Sequence, residues 1–123
     1  MKIGFVQYDI QKNVTANISK VSALITESSS DLYVLPELCD SGYLYASKQE
    51  LQQKACTLDD NEMVTFLSKK SQECNCSFIA GVAERHGKDV YNSAVLIAHG
   101  KICGTYRKIH LSDLEKSLFY SGN

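Results

Sequence analysis

The chain opens with apolar and small residues, Lys2 to Tyr8, followed by polar Asp9 to Asn13, which predicts a strand and then a loop. From Asn13 the pattern changes period. Val14, Ile18, Val21 and Ile25 recur at helical spacing behind Asn13, a residue suited to capping, and Ser28-Ser29-Ser30 marks the stop. Leu32, Tyr33, Val34 and Leu35 form a dense apolar run within Asp31 to Leu35, the kind found in strands buried on both faces. These segments read as β-α-β, whose right-handed crossover makes the two strands parallel.

Pro36 stops the second strand, and Glu37 to Ala46 reads as a loop containing Gly42. Ser47 with Glu50 matches a capping box opening a short helix through Cys56. Asp59 or Asp60 is placed to cap a further helix with Met63, Phe66, Leu67 and Cys74 facing inward. Ser77 to Glu84 and Val90 to Ala98 are strand-like, and Arg85 to Asp89 between them carries a hairpin signal in Gly87. His99-Gly100 turns the chain into a last strand, Ile102 to Arg107. On a period of two, Ile102, Gly104, Tyr106 and Lys108 share one face, and Cys103, Thr105 and Arg107 the other. Ile109 to Asn123 has no clear period. The expectation is one α/β unit with a mixed sheet, since the hairpins of the second half break the βαβαβ regularity of a flavodoxin-like domain.

Composition narrows this only in places. A length of 123 residues with 44% apolar and 22% charged positions fits one globular domain with a core. The net charge of −1 supplies no electrostatic reason to expect nucleic acid or an anionic membrane. The run Ile3 to Val6 is too short for a signal-peptide core or a membrane span, so a cytoplasmic location is the expectation. Five cysteines, an odd number, read as free thiols.

Three positions draw attention for chemistry. Glu37 lies just past the carboxyl end of a buried strand, where ligand sites of α/β sheets collect. Flanked by Leu35 and Leu38, its carboxyl is expected to be partly desolvated and raised in pKa, as suits a general base; the plainer alternative is a solvated loop carboxylate. Lys108 closes the last strand, where a lysine either reaches into a cleft to meet a developing oxyanion or snorkels to water. Glu115, beside Lys116, reads from the pattern alone as a surface charge. Cys74-x-Cys76 has no partner pair at zinc spacing, so no metal is expected, and no cofactor motif is present. His86 and His99 fall at turns and read as solvated.

In combination these segments say more. Leu35-Pro36-Glu37-Leu38 followed by Ser41-Gly42-Tyr43, then Tyr91-Asn92-Ser93-Ala94, then Tyr106-Arg107-Lys108-Ile109-His110-Leu111 resembles the nitrilase, or carbon–nitrogen hydrolase, superfamily. The opening Ile3-Gly4-Phe5-Val6-Gln7 fits too, and the blocks keep their order over essentially the whole chain.

The resemblance implies the N-terminal portion of a four-layer α-β-β-α sandwich, as a single, incomplete domain over residues 1–123. By position, Glu37 matches the family's general base and Lys108 the residue stabilising the tetrahedral intermediate. Glu115, ahead of Phe119 and Gly122, matches a further glutamate that helps position substrate and base. The family nucleophile is a cysteine on a later strand-to-helix elbow. This sequence ends at Ser121-Gly122-Asn123, before such an elbow, so the expectation is a piece of an enzyme, inactive alone, with none of its five cysteines as nucleophile. The implied reaction is hydrolysis of a non-peptide C–N bond in a small amide or nitrile substrate. A homo-oligomer is expected, and the alternative reading is a non-catalytic module that self-associates or docks to another chain.

Overall fold

The computed structural model describes residues 1–26 and 29–123. The elements are β1 (Ile3–Phe5), α1 (Val14–Thr26), β2 (Leu32–Val34), α2 (Lys48–Lys54), α3 (Glu62–Glu73), β3 (Ser77–His86), β4 (Asp89–Ala98), β5 (Lys101–Arg107) and α4 (Asp113–Lys116). The strands form one mixed sheet in sequence order: β1, β2 and β3 run parallel, and β3, β4 and β5 antiparallel.

Helix α1 forms where its apolar spacing predicts. Asn13 Oδ1 accepts a hydrogen bond from Ala16 N at 3.0 Å, and Val21 and Ile25 are buried. The predicted stop begins at Ser28, which lies outside the described residues. Asn17 is fully buried in the same helix and ties down two loops: its Nδ2 donates to Gln11 O at 2.7 Å and to Asp40 O at 2.9 Å.

Three local expectations are corrected. At α2, Ser47 Oγ accepts from Glu50 N, but Glu50 returns its carboxylate to Ala46 N, one residue earlier than a capping box requires. The cap of α3 is Asn61, not Asp59 or Asp60. Asn61 Oδ1 accepts from Val64 N at 3.1 Å while Nδ2 donates to the buried Asp40 Oδ2 at 2.9 Å, two roles an aspartate carboxylate cannot combine. Cys74 is exposed because it caps the end of α3, after the inward face has finished; Cys76 turns inward instead.

Helices α1 and α3 pack on one side of the sheet. Tyr33, Phe78, Ala80, Val82, Val95 and Ile97 meet Val21, Ile25, Met63 and Leu67 in a continuous core. On the opposite face Leu38, Leu51 of α2 and Phe119 cover Ala83 and Val90 at one end, and the rest is open: Ile3, Phe5, Leu96 and Tyr106 are exposed, Phe5 at 86%. Leu32 and Val34 are therefore only half-buried, whereas their run predicts burial on both faces.

Strand β5 corrects the simple alternation. Ile97 pairs with Ile102 but Leu96 pairs with Gly104, so Cys103 is an extra residue and the face changes there. Ile102 packs with the helix-side core, while Gly104 and Tyr106, opposite Leu96 and Ala94, share the open side with Lys108. Among the described residues no helix is long and apolar enough to cross a membrane.

Candidate active site

The turn that carries Glu37 is shaped by β3. After β2 the chain stays beside β3, with Leu35 N donating to Ile79 O at 2.8 Å, Gly81 N to Pro36 O at 3.2 Å and Cys39 N to Gly81 O at 2.8 Å. A Cβ at Gly81 would stand 2.5 Å from Glu37 Cα, so this approach requires glycine. Leu38 follows with φ of 47°, in the left-handed region that β-carbon-bearing residues seldom adopt. Its side chain is fully buried with Leu51, Ala83, Val90 and Phe119, an anchor that offsets the strain.

Lys108 is delivered by the end of β5, where Lys108 N donates to Asn92 O at 2.8 Å. The tail returns across it, with Gly122 N donating to Lys108 O. Arg107, one residue earlier, points to the helix side and forms an ion pair with the buried Glu84, which also accepts from Ser93 Oγ. Glu115 arrives on α4, whose capping box is complete: Ser112 Oγ accepts from Glu115 N and Glu115 Oε2 accepts from Ser112 N at 2.9 Å.

These three side chains meet. Lys108 Nζ lies 2.9 Å from Glu37 Oε1, 2.9 Å from Glu115 Oε1 and 3.0 Å from Glu115 Oε2. Asn92, 4% exposed on β4, donates its Nδ2 to the same pair of oxygens, Glu37 Oε1 and Glu115 Oε1. The Tyr43 hydroxyl donates to the other Glu37 oxygen, Oε2. The cluster borders a cleft of about 430 Å³ lined also by Leu35, Ile79, Ala94, Tyr106 and His110.

Charge follows from these contacts. Burial disfavours the ionised form of Glu37, but hydrogen bonds from Tyr43, Lys108 and Asn92 outweigh it and hold the carboxyl below its ordinary value. The upward shift expected from its leucine neighbours is thus reversed, because the side chain is 40% exposed and fully supplied with donors. Glu115 is also penalised by burial, yet Lys108, Ser112 and Asn92 bring it down to about 2. Lys108 is raised, by Glu115 first and then Glu37.

Sequence pattern alone gave Glu115 the place of a surface charge; it is 7% exposed because its own capping box turns it inward. Asn92 and Gly81 carried no assigned role. The signals that point to them are a polar residue on an apolar strand, and a glycine in a strand interior beside a strand-end carboxylate. His86 and His99 are exposed at turns, and His110 lies on the cleft rim.

None of the five cysteines lines this cleft. Cys39 is fully buried, and burial pushes its thiol far above the ordinary range. Cys56 borders a separate cleft of about 340 Å³ with Asp40, Lys12 and Lys54. Among the described residues no group of three or more His, Cys, Asp or Glu is placed to hold a metal ion.

A mixed sheet with α1 and α3 on one face and a Glu–Lys–Glu cluster at its strand ends on the other defines an α/β protein with a charged polar centre beside a cleft. The carbon-nitrogen hydrolase family model matches residues 2–123, and the chain belongs to that family. A nitrilase of Pyrococcus abyssi is 37% identical over 100% of this chain and 48% of its own length. The 2-oxoglutaramate amidase of Bacillus subtilis is 33% identical over 96% of this chain and 46% of its own. The chain spans about half the length of the curated relatives it matches. Among solved structures, an N-terminal amidase with an Asn-Glu-Ala peptide superposes with a TM-score of 0.90 at 22% identity, covering 99% of this chain and 31% of that one. A carbon–nitrogen hydrolase superfamily protein from Xanthomonas campestris, with an arsenic adduct in its active site, gives 0.85 at 22% identity, covering 100% and 46%. The fold is that of the N-terminal part of the nitrilase-like sandwich.

Proposed function

We propose that this chain supplies the base and the cation of a carbon–nitrogen hydrolase that cleaves small, non-peptide C–N bonds by acyl transfer to a cysteine. Glu37 takes the thiol proton as sulfur attacks the carbonyl carbon, and Lys108 stabilises the charge that develops on oxygen. The amine departs with the proton held by Glu37. Water then adds to the acyl carbon, giving a proton to Glu37, and the acid leaves as the thiol is restored. Glu115 holds Lys108 and contributes to positioning.

The observation that carries this reading is that one ammonium, Lys108 Nζ, sits 2.9 Å from both Glu37 and Glu115, though Glu37 lies 71 positions away in the chain. The thiolate is assigned to a cysteine other than the five present, since none reaches the cleft. The substrate class is an amide first, in line with relatives named as amidases, with a nitrile or a carbamoyl compound such as a citrullinase cleaves as alternatives. A cytoplasmic setting belongs to the same reading.

The test is ammonia release from a panel of small amides and nitriles by the protein expressed from its full reading frame. Glu37→Gln and Lys108→Ala should each lower kcat by about 100-fold or more while the fold is retained. Undiminished turnover by Glu37→Gln would overturn the reading. The 123-residue chain alone should show no turnover.

The open sheet face favours one other reading, a non-catalytic module that pairs with a second copy of itself through Ile3, Phe5, Leu96 and Tyr106. A strictly monomeric chain at micromolar concentration removes it.

A further inference from the structure

We propose that Asn92 is a positioning residue that dictates which oxygen of Glu37 exchanges protons. The proposal rests on Glu37 being the base.

The argument begins with donors. A carboxamide nitrogen carries two hydrogens, and those of Asn92 are both committed: one to Glu37 Oε1, the other to Glu115 Oε1. Lys108 Nζ bridges the same two oxygens from another direction. Two carboxylate oxygens and two nitrogens therefore close a four-membered arrangement, in which Glu37 Oε1 already accepts two hydrogen bonds. Glu37 Oε2 is left on the other side, where the half-exposed Tyr43 hydroxyl reaches it. Oε2, with one donor against two on Oε1, is the oxygen with room left to take a proton.

Lys108 alone would not impose this. An ammonium on a flexible four-carbon stem is a rotatable point donor, and it is shared with Glu115 through both of that residue's oxygens. Asn92 is different: it is buried, its strand is paired on both sides, and the backbone carbonyl of the same residue receives Lys108 N. One residue thus fixes Lys108 through its main chain and both glutamates through its side chain. As a neutral donor it holds two like charges together without consuming the charge of Lys108.

The groups facing Glu37 are Tyr43 from the loop after it, Lys108 at the end of β5, Glu115 from α4 and, on the cleft rim, His110. Removing Asn92 leaves two carboxylates with one fewer shared donor, so the proton affinity of Glu37 must rise; the amide is one of the groups holding it down.

The experiment compares Asn92→Ala and Asn92→Leu in the protein expressed from its full reading frame. Leucine keeps the volume and drops the N–H donors, so it separates packing from donation. Both variants should lose about 10- to 100-fold in kcat with KM changed by less than about threefold. Both should move the acidic limb of the pH–rate profile upward, matched by the Glu37 carboxyl titration read by carbon NMR. Wild-type behaviour of Asn92→Leu, in limb and titration alike, would overturn the proposal and leave Asn92 a packing residue. The titration is read without turnover. If Glu37→Gln remains active the base assignment falls; if Glu37→Gln is dead and the Asn92 variants titrate normally, only the Asn92 proposal falls.

Discussion

Gly81 and Glu37 touch through their backbones: a β-carbon on the glycine would lie 2.5 Å from the glutamate Cα, 2.8 Å from Leu38 N and 2.9 Å from Pro36 O. All three are main-chain atoms, so no rotamer change can relieve the contact. Gly81→Ala should destabilise the fold by about 1–3 kcal/mol in urea denaturation, as overpacking generally does. It should also push Glu37 out of reach of Lys108, so that the Glu37 carboxyl titrates nearer its ordinary value. Wild-type stability in this variant would show that the turn is free to move.

Acid should weaken the fold through Glu115. Its pKa is depressed to about 2 in the folded chain, against roughly 4.3 for an unfolded glutamate, so its contribution is complete above the unfolded value and is lost as pH falls toward 2. At about 1.4 kcal/mol per pKa unit this shift corresponds to about 3 kcal/mol, and solvent screening at the part-exposed Lys108 partner brings the expected loss to on the order of 2 kcal/mol. Glu37, also depressed, adds in the same direction. Chemical denaturation of wild type and Glu115→Gln from pH 6 to pH 2 checks this; the variant should be less stable at pH 6, and the two curves should converge in acid.

Ser112→Ala removes one arm of the capping box while leaving the charged cluster in place. A loss of about 1 kcal/mol is expected from the missing cap. Because the box orients Glu115, the Glu115 carboxyl should also titrate higher in this variant. A stability loss with unchanged titration would mean that Lys108 and Asn92 hold Glu115 unaided.

The open sheet face gives a prediction about association. Phe5→Lys together with Leu96→Lys places charge on a side where Phe5 is 86% and Leu96 40% exposed. Light scattering of the 123-residue chain should report a larger species for wild type than for the double variant. Equal masses for both would show that this face does not drive self-association.

Periodic segments were legible in the sequence. The spacing of Val14, Ile18, Val21 and Ile25 located α1, and Gly87 between two alternating runs located the β3–β4 hairpin, because both depend on local pattern. Glu37 and Lys108 stood out by their places at strand ends, but Glu115 was named only through ordered resemblance; nothing local distinguishes a glutamate on a four-residue helix from a surface charge. What stayed hidden depended on partners distant in sequence. Asn61 wins the α3 cap because Asp40, 21 residues earlier, needs a donor. The downward direction of the Glu37 shift depends on Tyr43, Lys108 and Asn92 arriving together.

The extra residue at Cys103 has a bearing on the two cations that follow it. Arg107 and Lys108 are neighbours sent to opposite sides of the sheet, one to Glu84 and the other to Glu37 and Glu115. Their destinations are a matter of phase, counted from the pairing of β5 with β4. A one-residue deletion that slipped the end of the strand would bring the Lys108 ammonium to Glu84 and leave Ile109 where the ammonium meets Glu37 and Glu115. The segment 104–106, ahead of the two cations, can therefore vary in composition far more freely than in length.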